Sequence, residues 1–562
     1  MSPADTVPAG ERPAGRPSDA GGGVAELLLP VLILWNLFLF VIKDHLYPLF
    51  SPEVALSLFV LAILAAPVSL LSLAKRRGYY AAPLAALLVL FIDFMAEPAV
   101  QLHKFALVGL FILLYIAILK LGRTFSLPAV GALSVMLIAT VVLLMQQTQP
   151  GIGAFDTSGP VADKAPPRLI HIVLDEHLGI EGFPNSVPSG RIMKERVKEF
   201  YRNRGFQLYG NAYGHYCNTF DAVPSLLNFT REPTPKQFVS GDEGSYVVTK
   251  NRYFELLRER GYRLHVIGAG YLDFCAHTMA LTADCQQYHF TSWASVAALD
   301  VPIADKAAFL LRSFITGYPR YQRLQQLYDQ SWRPVLIRNG GYFSRLADSM
   351  WITPPAHTYT SNAMQTVERT WNNILSLPHG HAAFIHLMLP HFPYSFGRNC
   401  ATRPLLEWEE NLEHVPKEHR TAQLQAERYR LYFDQMDCVL ALLDNLLDRL
   451  RQAGMLDDSI ILVHGDHGSR LAIRDPTVEA MSLTDSDLLD YFSLLYAAKI
   501  PGSPARYDVT PTPVEDLLIH SLNLPVSTKG PASAMPAPHF VFLRNFVGSP
   551  EYLAVPYPAI SP

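Results

Sequence analysis

Four stretches of the 562-residue chain carry residues whose types and spacing could do chemistry. The apolar run Leu169–Leu174 ends in Asp175-Glu176-His177. Two carboxylates there offer hard oxygen donors that suit a divalent cation. The run Ser459–Val463 leads into His464-Gly465-Asp466-His467-Gly468. Adjacent Asp466 and His467 give one oxygen and one nitrogen donor, a combination that suits zinc or manganese. Gly465 and Gly468 beside them let the backbone turn and approach a ligand closely. Between Asn211 and Leu227 a polar loop holding His215 enters a short apolar helix with Thr219 at the junction. Thr219 is either an N-cap or, beside a metal, an activated nucleophile. The free N–H groups of a helix start also suit a phosphate. Finally, His386–Tyr394 places His391 after another apolar run, as a binder of an anionic substrate or leaving group, or as a core histidine. Each stretch taken alone also reads as an ordinary polar turn.

The elements that position these residues follow from periodicity. Leu169–Leu174, Leu264–Ile267, Ala383–Leu389, Ile460–Val463 and Leu494–Ala497 are short apolar runs that predict buried strands. They alternate with helical patterns, the clearest over Ala422–Ala453. Such alternation predicts an α/β domain with a mostly parallel sheet, whose ligand site lies beyond the carboxyl ends of its strands.

The rest of the chain is different in kind. Mean hydropathy is +0.14, 49% of residues are hydrophobic and only 17% are charged, which excludes disorder over most of the chain. A net charge of -4 argues against nucleic acid as a partner. Apolar residues concentrate in five stretches, at 24–42, 54–74, 80–97, 105–121 and 126–145, each near the ~20 residues that span a bilayer. The predicted organisation is a disordered cytoplasmic tail over 1–23, a five-helix transmembrane bundle over 24–146, a linker over 147–167 and the α/β domain over 168–562. Arg12, Arg16, Lys75, Arg76, Arg77, Lys120 and Arg123 fall on one side of the spans, against Lys43 and Lys104 on the other. That asymmetry puts the N-terminus inside and the α/β domain outside. Outside, oxidation is favoured. Cys275 and Cys285 are therefore expected to pair, Cys438 reads as a packed thiol within a helix, and Cys217 and Cys400 stay open.

In combination, and in order, these motifs resemble the alkaline phosphatase/sulfatase superfamily. The elements are strand–Asp175-Glu176, the Thr219 loop, Pro390-His391-Phe392-Pro393, a long helix, and Gly465-Asp466-His467-Gly468; the run Tyr496–Gly502 looks like that superfamily's penultimate sheet segment. With five spans in front, the chain further resembles lipoteichoic-acid synthases and lipid A phosphoethanolamine transferases. The resemblance implies an alkaline phosphatase-like fold and a divalent metal, Zn or Mn, held by Asp175, Thr219, Asp466 and His467. Glu176 stands where those transferases usually have a neutral residue, leaving room for a second ion. Cys217 is followed by Asn218-Thr219-Phe220-Asp221, without the Pro and Arg of the sulfatase formylglycine motif.

The expected activity is transfer of a phosphoglycerol or phosphoethanolamine head group from a membrane phospholipid donor to an envelope glycan or lipid acceptor. It would run through a phospho-Thr219 intermediate at the bacterial inner membrane, with the catalytic domain facing the periplasm or exterior. His391, and less directly His215, would protonate the leaving oxygen or orient the acceptor. The alternatives are a hydrolase of phosphate or sulfate esters and a non-catalytic envelope scaffold. Asp93 and Glu97, four apart in the third span, are expected to meet a cationic head group or to pair with a basic residue such as Lys43 or Lys104; the alternative is that Asp93 sits in the water-accessible interfacial zone with no specific role.

Overall fold

The computed structural model describes residues 20–73, 78–96, 100, 102–147, 151–158, 165–232, 235–242, 245–318, 320–321, 355–477, 483–526, 539–544 and 551–558. It divides into two compact units, one of residues 1–148 with 306–354 and the other of 149–305 with 355–562.

Among the described residues, the first unit holds five helices long and apolar enough to cross a membrane: α1 (Ala20–Asp44), α2 (Pro52–Leu71), α3 (Gly78–Ala96), α4 (Lys104–Leu121) and α5 (Arg123–Gln146). Their side chains are apolar on nearly every face, as a helix in hydrocarbon requires. Leu29, Ile33 and Leu37 of α1 bury against Leu84 and Leu88 of α3, Ile118 of α4 and Leu133 of α5. The helix Ile303–Thr316 adds Phe314, which meets Phe38 edge-on with ring centroids 5.7 Å apart.

Just beyond it, Arg320 pairs with Asp93, Nη2 to Oδ1 at 2.9 Å, and Tyr318 O–H also donates to Asp93. This corrects the expectation of Lys43 or Lys104 as partner; Lys43 instead pairs with Asp44 at 2.9 Å. A carboxylate in an apolar helix must find a counter-charge. Here that charge comes from more than two hundred residues further along. Glu97 lies outside the described residues.

The second unit is built on an eight-stranded sheet. In chain order its strands are β1 (Arg168–Leu174), β2 (Gln207–Tyr209), β3 (Arg263–Ala269), β4 (Thr282–Tyr288), β5 (His381–Leu387), β6 (Ser459–Gly465), β7 (Tyr496–Lys499) and β8 (Arg506–Asp508). Their spatial order is β8-β2-β7-β6-β1-β5-β3-β4, with β7 alone antiparallel to its neighbours. Central β1 is buried on both faces, hence its unbroken apolar run. Ile170, Ile172 and Leu174 join one core with Val439, Leu443 and Leu447 of the long helix Ala422–Gln452. Leu169 and Val173 join the other, with Val223 and Leu227. The predicted mostly parallel α/β domain is the fold observed.

Two disulfides brace this unit, Cys275–Cys285 as expected and Cys400–Cys438. The second corrects the packed-thiol reading of Cys438. Its partner is 38 residues away, and no local pattern announces it. Cys217 is free and buried.

Candidate metal centre and its cavity

β1 and β6 are parallel neighbours with Leu174 opposite Gly465, so Asp175 and Asp466 leave adjacent strand ends together. Gly465 and Gly468 are required by close approach. A Cβ on Gly465 would lie 2.4 Å from the His177 carbonyl oxygen, and one on Gly468 would lie 1.9 Å from that of Asp490. No side chain fits at either place.

Asp175, Asp466 and His467 are fully buried, and their donor atoms all lie within 4.8 Å of one another. His467 Nδ1 donates to the Gly468 carbonyl at 2.9 Å, which turns a bare Nε2 towards the two carboxylates. Nε2 is 3.4 Å from Asp466 Oδ2 and 3.7 Å from Asp175 Oδ1. Asp466 Oδ1 accepts from the Glu176 and His467 N–H groups, at 3.0 and 2.9 Å. Asp466 Oδ2 and Asp175 Oδ1 are buried with no hydrogen-bond partner. Orphaned carboxylate oxygens beside a fixed imidazole nitrogen are a costly arrangement without a cation and a fitting one for a divalent ion. Burial alone would raise the Asp175 carboxyl, yet the imidazoles of His391, His386 and His467 hold it below the usual carboxylate range.

Thr219 completes the group. It is the first residue of α6 (Thr219–Leu227), while Asn218 occupies the N-cap position without a side-chain capping bond. The Thr219 hydroxyl is thus free of capping and sits 3.3 Å from Asp175 Oδ2 and 3.3 Å from His467 Nε2.

Glu176 departs from this cluster. Its backbone is left-handed, φ 63°, and its carboxylate turns to Arg470, which donates from Nε at 2.8 Å and also from Nη2. Burial raises the Glu176 carboxyl while Arg470 opposes it, and Arg470 is itself held above its usual range. The ion pair is the form that balances, because a neutral Glu176 would deprive a buried guanidinium of its main counter-charge. Arg470 is also left-handed, φ 54°. Asp490 secures that loop by accepting from the Leu471 and Ala472 N–H groups, at 2.6 and 2.7 Å, and from Ser469 Oγ.

His391 and Arg470 line a cavity of about 880 Å³ together with Thr219. His391 Nδ1 donates to the Phe392 carbonyl, leaving Nε2 to face Arg470 Nη2 at 3.3 Å and Glu176 Oε1 at 3.7 Å. Burial lowers its pKa, with Arg470 adding to the effect. His215 is not among the lining residues. Its Nδ1 bonds the Phe540 carbonyl at 2.9 Å, and its Nε2 lies 3.9 Å from Glu515.

Sequence reasoning missed Arg470, Arg544 and Asp490. The first lies two residues past the Gly-Asp-His-Gly element and was within reach of a local reading. Arg544 enters the cavity from a C-terminal hairpin, Phe540–Arg544 with Tyr552–Pro556, held by Asp221 at 2.6 Å. Nothing local marks it or Asp490.

No family model matches the sequence, and no curated protein matches it. Among solved structures the chain is similar to the C-terminal periplasmic domain of EcEptC from Escherichia coli in complex with Zn. That match has a TM-score of 0.39 and 11% identity, covering 73% of this chain and 97% of that one. It is similar also to a protein in the alkaline phosphatase superfamily from Vibrio parahaemolyticus, with TM-score 0.36, 12% identity and 71% and 78% coverage. A third is the lipoteichoic acid synthase LtaP from Listeria monocytogenes, with TM-score 0.35, 13% identity and 72% and 89% coverage.

Proposed function

We propose that the protein is a membrane-anchored phosphotransferase that moves a phospholipid head group, phosphoglycerol or phosphoethanolamine, onto an envelope glycan or lipid. The observation that carries this reading is the uncapped Thr219 hydroxyl at a helix start, 3.3 Å from both Asp175 and His467. Asp175, Asp466, His467 and Thr219 would hold a divalent ion, Zn or Mn, which when bound supplies Lewis-acid activation of the hydroxyl and charge neutralisation at phosphorus.

The chain's own groups account for the rest. Thr219 Oγ1 bonds to phosphorus and gives up its proton to His391 Nε2, the bond from phosphorus to the diacylglycerol oxygen breaks, and His391 returns that proton to the leaving oxygen. The free N–H groups at the start of α6 and the Arg470 guanidinium face the phosphoryl oxygens. A hydroxyl of the acceptor then attacks the same phosphorus and passes its proton to His391 Nε2. The bond from phosphorus to Thr219 breaks, and His391 returns that proton to Oγ1, which restores the hydroxyl. Glu176 acts by fixing Arg470, and the second ion that its position allowed for has no role in this scheme. His215, outside the cavity lining, has a supporting role. Five apolar helices would keep the domain at the surface where the donor lies, and two disulfides support an outward-facing, oxidising location.

The test is mass spectrometry of the purified protein incubated with phospholipid vesicles. The peptide containing Thr219 should gain the head-group phosphate in the wild type and not in Thr219→Ala. The second reading, a hydrolase of phosphate or sulfate esters, is favoured by the volume of the cavity, about 880 Å³, which leaves room for water beside Thr219. Diacylglycerol released at the same rate with and without acceptor supports the hydrolase. A third reading, a scaffold without catalysis, predicts no modified Thr219.

A further inference from the structure

The aromatic residues of the Thr219 cavity touch one another in succession. Phe220 stacks on Tyr246 with ring centroids 4.7 Å apart, and Tyr246 meets Tyr271 edge-on at 5.6 Å. Tyr271 meets Phe290 at 5.6 Å, Phe290 meets Tyr359 at 5.6 Å, and Tyr359 meets Phe392 at 5.9 Å. All six line the cavity, and five of them are half-buried, with only Phe392 fully buried. A core cluster would bury them all. Guanidinium groups close both ends of the arc, Arg544 over Phe220 at 4.8 Å and Arg470 over Phe392 at 5.5 Å. The transfer chemistry at Thr219 has no need of such a wall.

We infer that the arc seats the acceptor and that the acceptor is a saccharide, a conclusion that rests on the phosphotransferase reading. A sugar ring turns a face of C–H bonds, with partly positive hydrogens, to the negative face of an aromatic ring. Its hydroxyls need polar partners at the edges of the wall. Tyr246, Tyr271 and Tyr359 carry phenolic groups there, and Arg470 lies 3.4 Å from Glu413, another lining residue. An ammonium head group is the rival occupant, because aromatic faces attract cations. Two features decide against it. The end rings already carry guanidinium groups, and about 880 Å³ is room for a ligand far larger than one ammonium group. An acyl chain fits no better, since it would strip water from two arginines and a glutamate without replacing their hydrogen bonds.

The experiment uses the full-length Thr219→Ala protein in phosphatidylcholine nanodiscs. Saturation-transfer difference NMR is recorded with maltohexaose, cellohexaose and mannohexaose, and with choline and ethanolamine as contrasts. A parallel arm measures binding to vesicles carrying diglucosyl diacylglycerol. The expected result is saccharide binding through ring C–H protons. Tyr271→Leu should weaken it about tenfold, whereas Tyr271→Phe stays within about threefold, since only the first removes the ring. Phe290→Leu should act like Tyr271→Leu, and the melting temperature of each variant separates lost binding from lost folding. Binding confined to the vesicle arm means that the sugar is presented on a lipid. Binding of choline or ethanolamine with no saccharide bound in either arm overturns the inference, as does silence from every probe. Unchanged saccharide affinity in folded Tyr271→Leu and Phe290→Leu overturns it too. The two readings fail separately. Modified Thr219 without saccharide binding rejects the acceptor assignment alone, whereas saccharide binding without modified Thr219 rejects the transferase and leaves the arc a saccharide site with no acceptor role.

Discussion

Arg470 and Glu176 meet across the site from two left-handed backbone positions, φ 54° and 63°, with Arg470 Nε 2.8 Å from Glu176 Oε1. Such conformations cost about 1–2 kcal/mol each in residues other than glycine. They bring a planar, two-pronged donor beside His391 without spending a metal ligand.

Arg470→Lys should therefore fold and lose function. Lysine keeps the charge and loses the fork. The expected fall in kcat/KM is about a hundredfold, equivalent to about 3 kcal/mol. Arg470→Ala strands a buried carboxylate and should cost about 3–5 kcal/mol of stability. Adding Glu176→Gln should recover part of that loss in denaturant titrations. No recovery would remove the ion pair from the account.

Metal retention separates the roles of the cluster. Thr219→Ala keeps Asp175, Asp466 and His467, and should still bind a divalent ion by elemental analysis. Asp466→Ala should not. A chelator should then lower the melting temperature of wild type and Thr219→Ala, leaving that of Asp466→Ala unmoved, because only a folded state that binds the ion is stabilised by it. Equal metal content in all three proteins contradicts the assignment.

Within the membrane unit, Asp93 is buried and Arg320 is its counter-charge. Arg320→Ala should destabilise the detergent-solubilised protein by about 2 kcal/mol, less than a fully buried pair because Arg320 is partly exposed. Asp93→Asn in the same background should restore most of it. A thermal shift assay on the wild type and these two variants decides.

Glu515 supplies a pH signature. Burial pushes its carboxyl from 4.5 up to about 7, and burial takes the facing His215 imidazole down to about 3. A raised acid contributes stability that is complete below pH 4.5 and lost as pH rises towards about 7. His215 works in the opposite sense, losing its contribution as pH falls below 6.5. Glu515→Gln should remove the first trend. The melting temperature of wild type minus that of the variant should decline across that window. A constant difference rejects the buried-acid reading.

Of five cysteines, four are paired. Alkylation of the native protein should label none, and denaturation without reductant should expose Cys217 alone. Labelling of Cys438 before reduction would contradict the second disulfide.

Much of this protein was legible in the residues themselves. Strands buried on both faces must be continuous apolar runs, so Leu169–Leu174 and Ile460–Val463 stood out, and polar residues directly after them fall at the sheet's carboxyl edge. Asp175, Asp466 and His467 stand out as candidates in that way, and the five spans stand out by their length, because hydrocarbon permits little else. Tertiary structure decided the rest. Only strand order makes β1 and β6 neighbours and turns two separate strand ends into one cluster. Arg320 on Asp93, Cys400 on Cys438, Arg544 in the cavity and the arc from Phe220 to Phe392 join residues far apart in the chain. Such contacts have no period and no local propensity. They exist because burial forces a charge, a thiol or a ring to meet whatever the fold brings beside it.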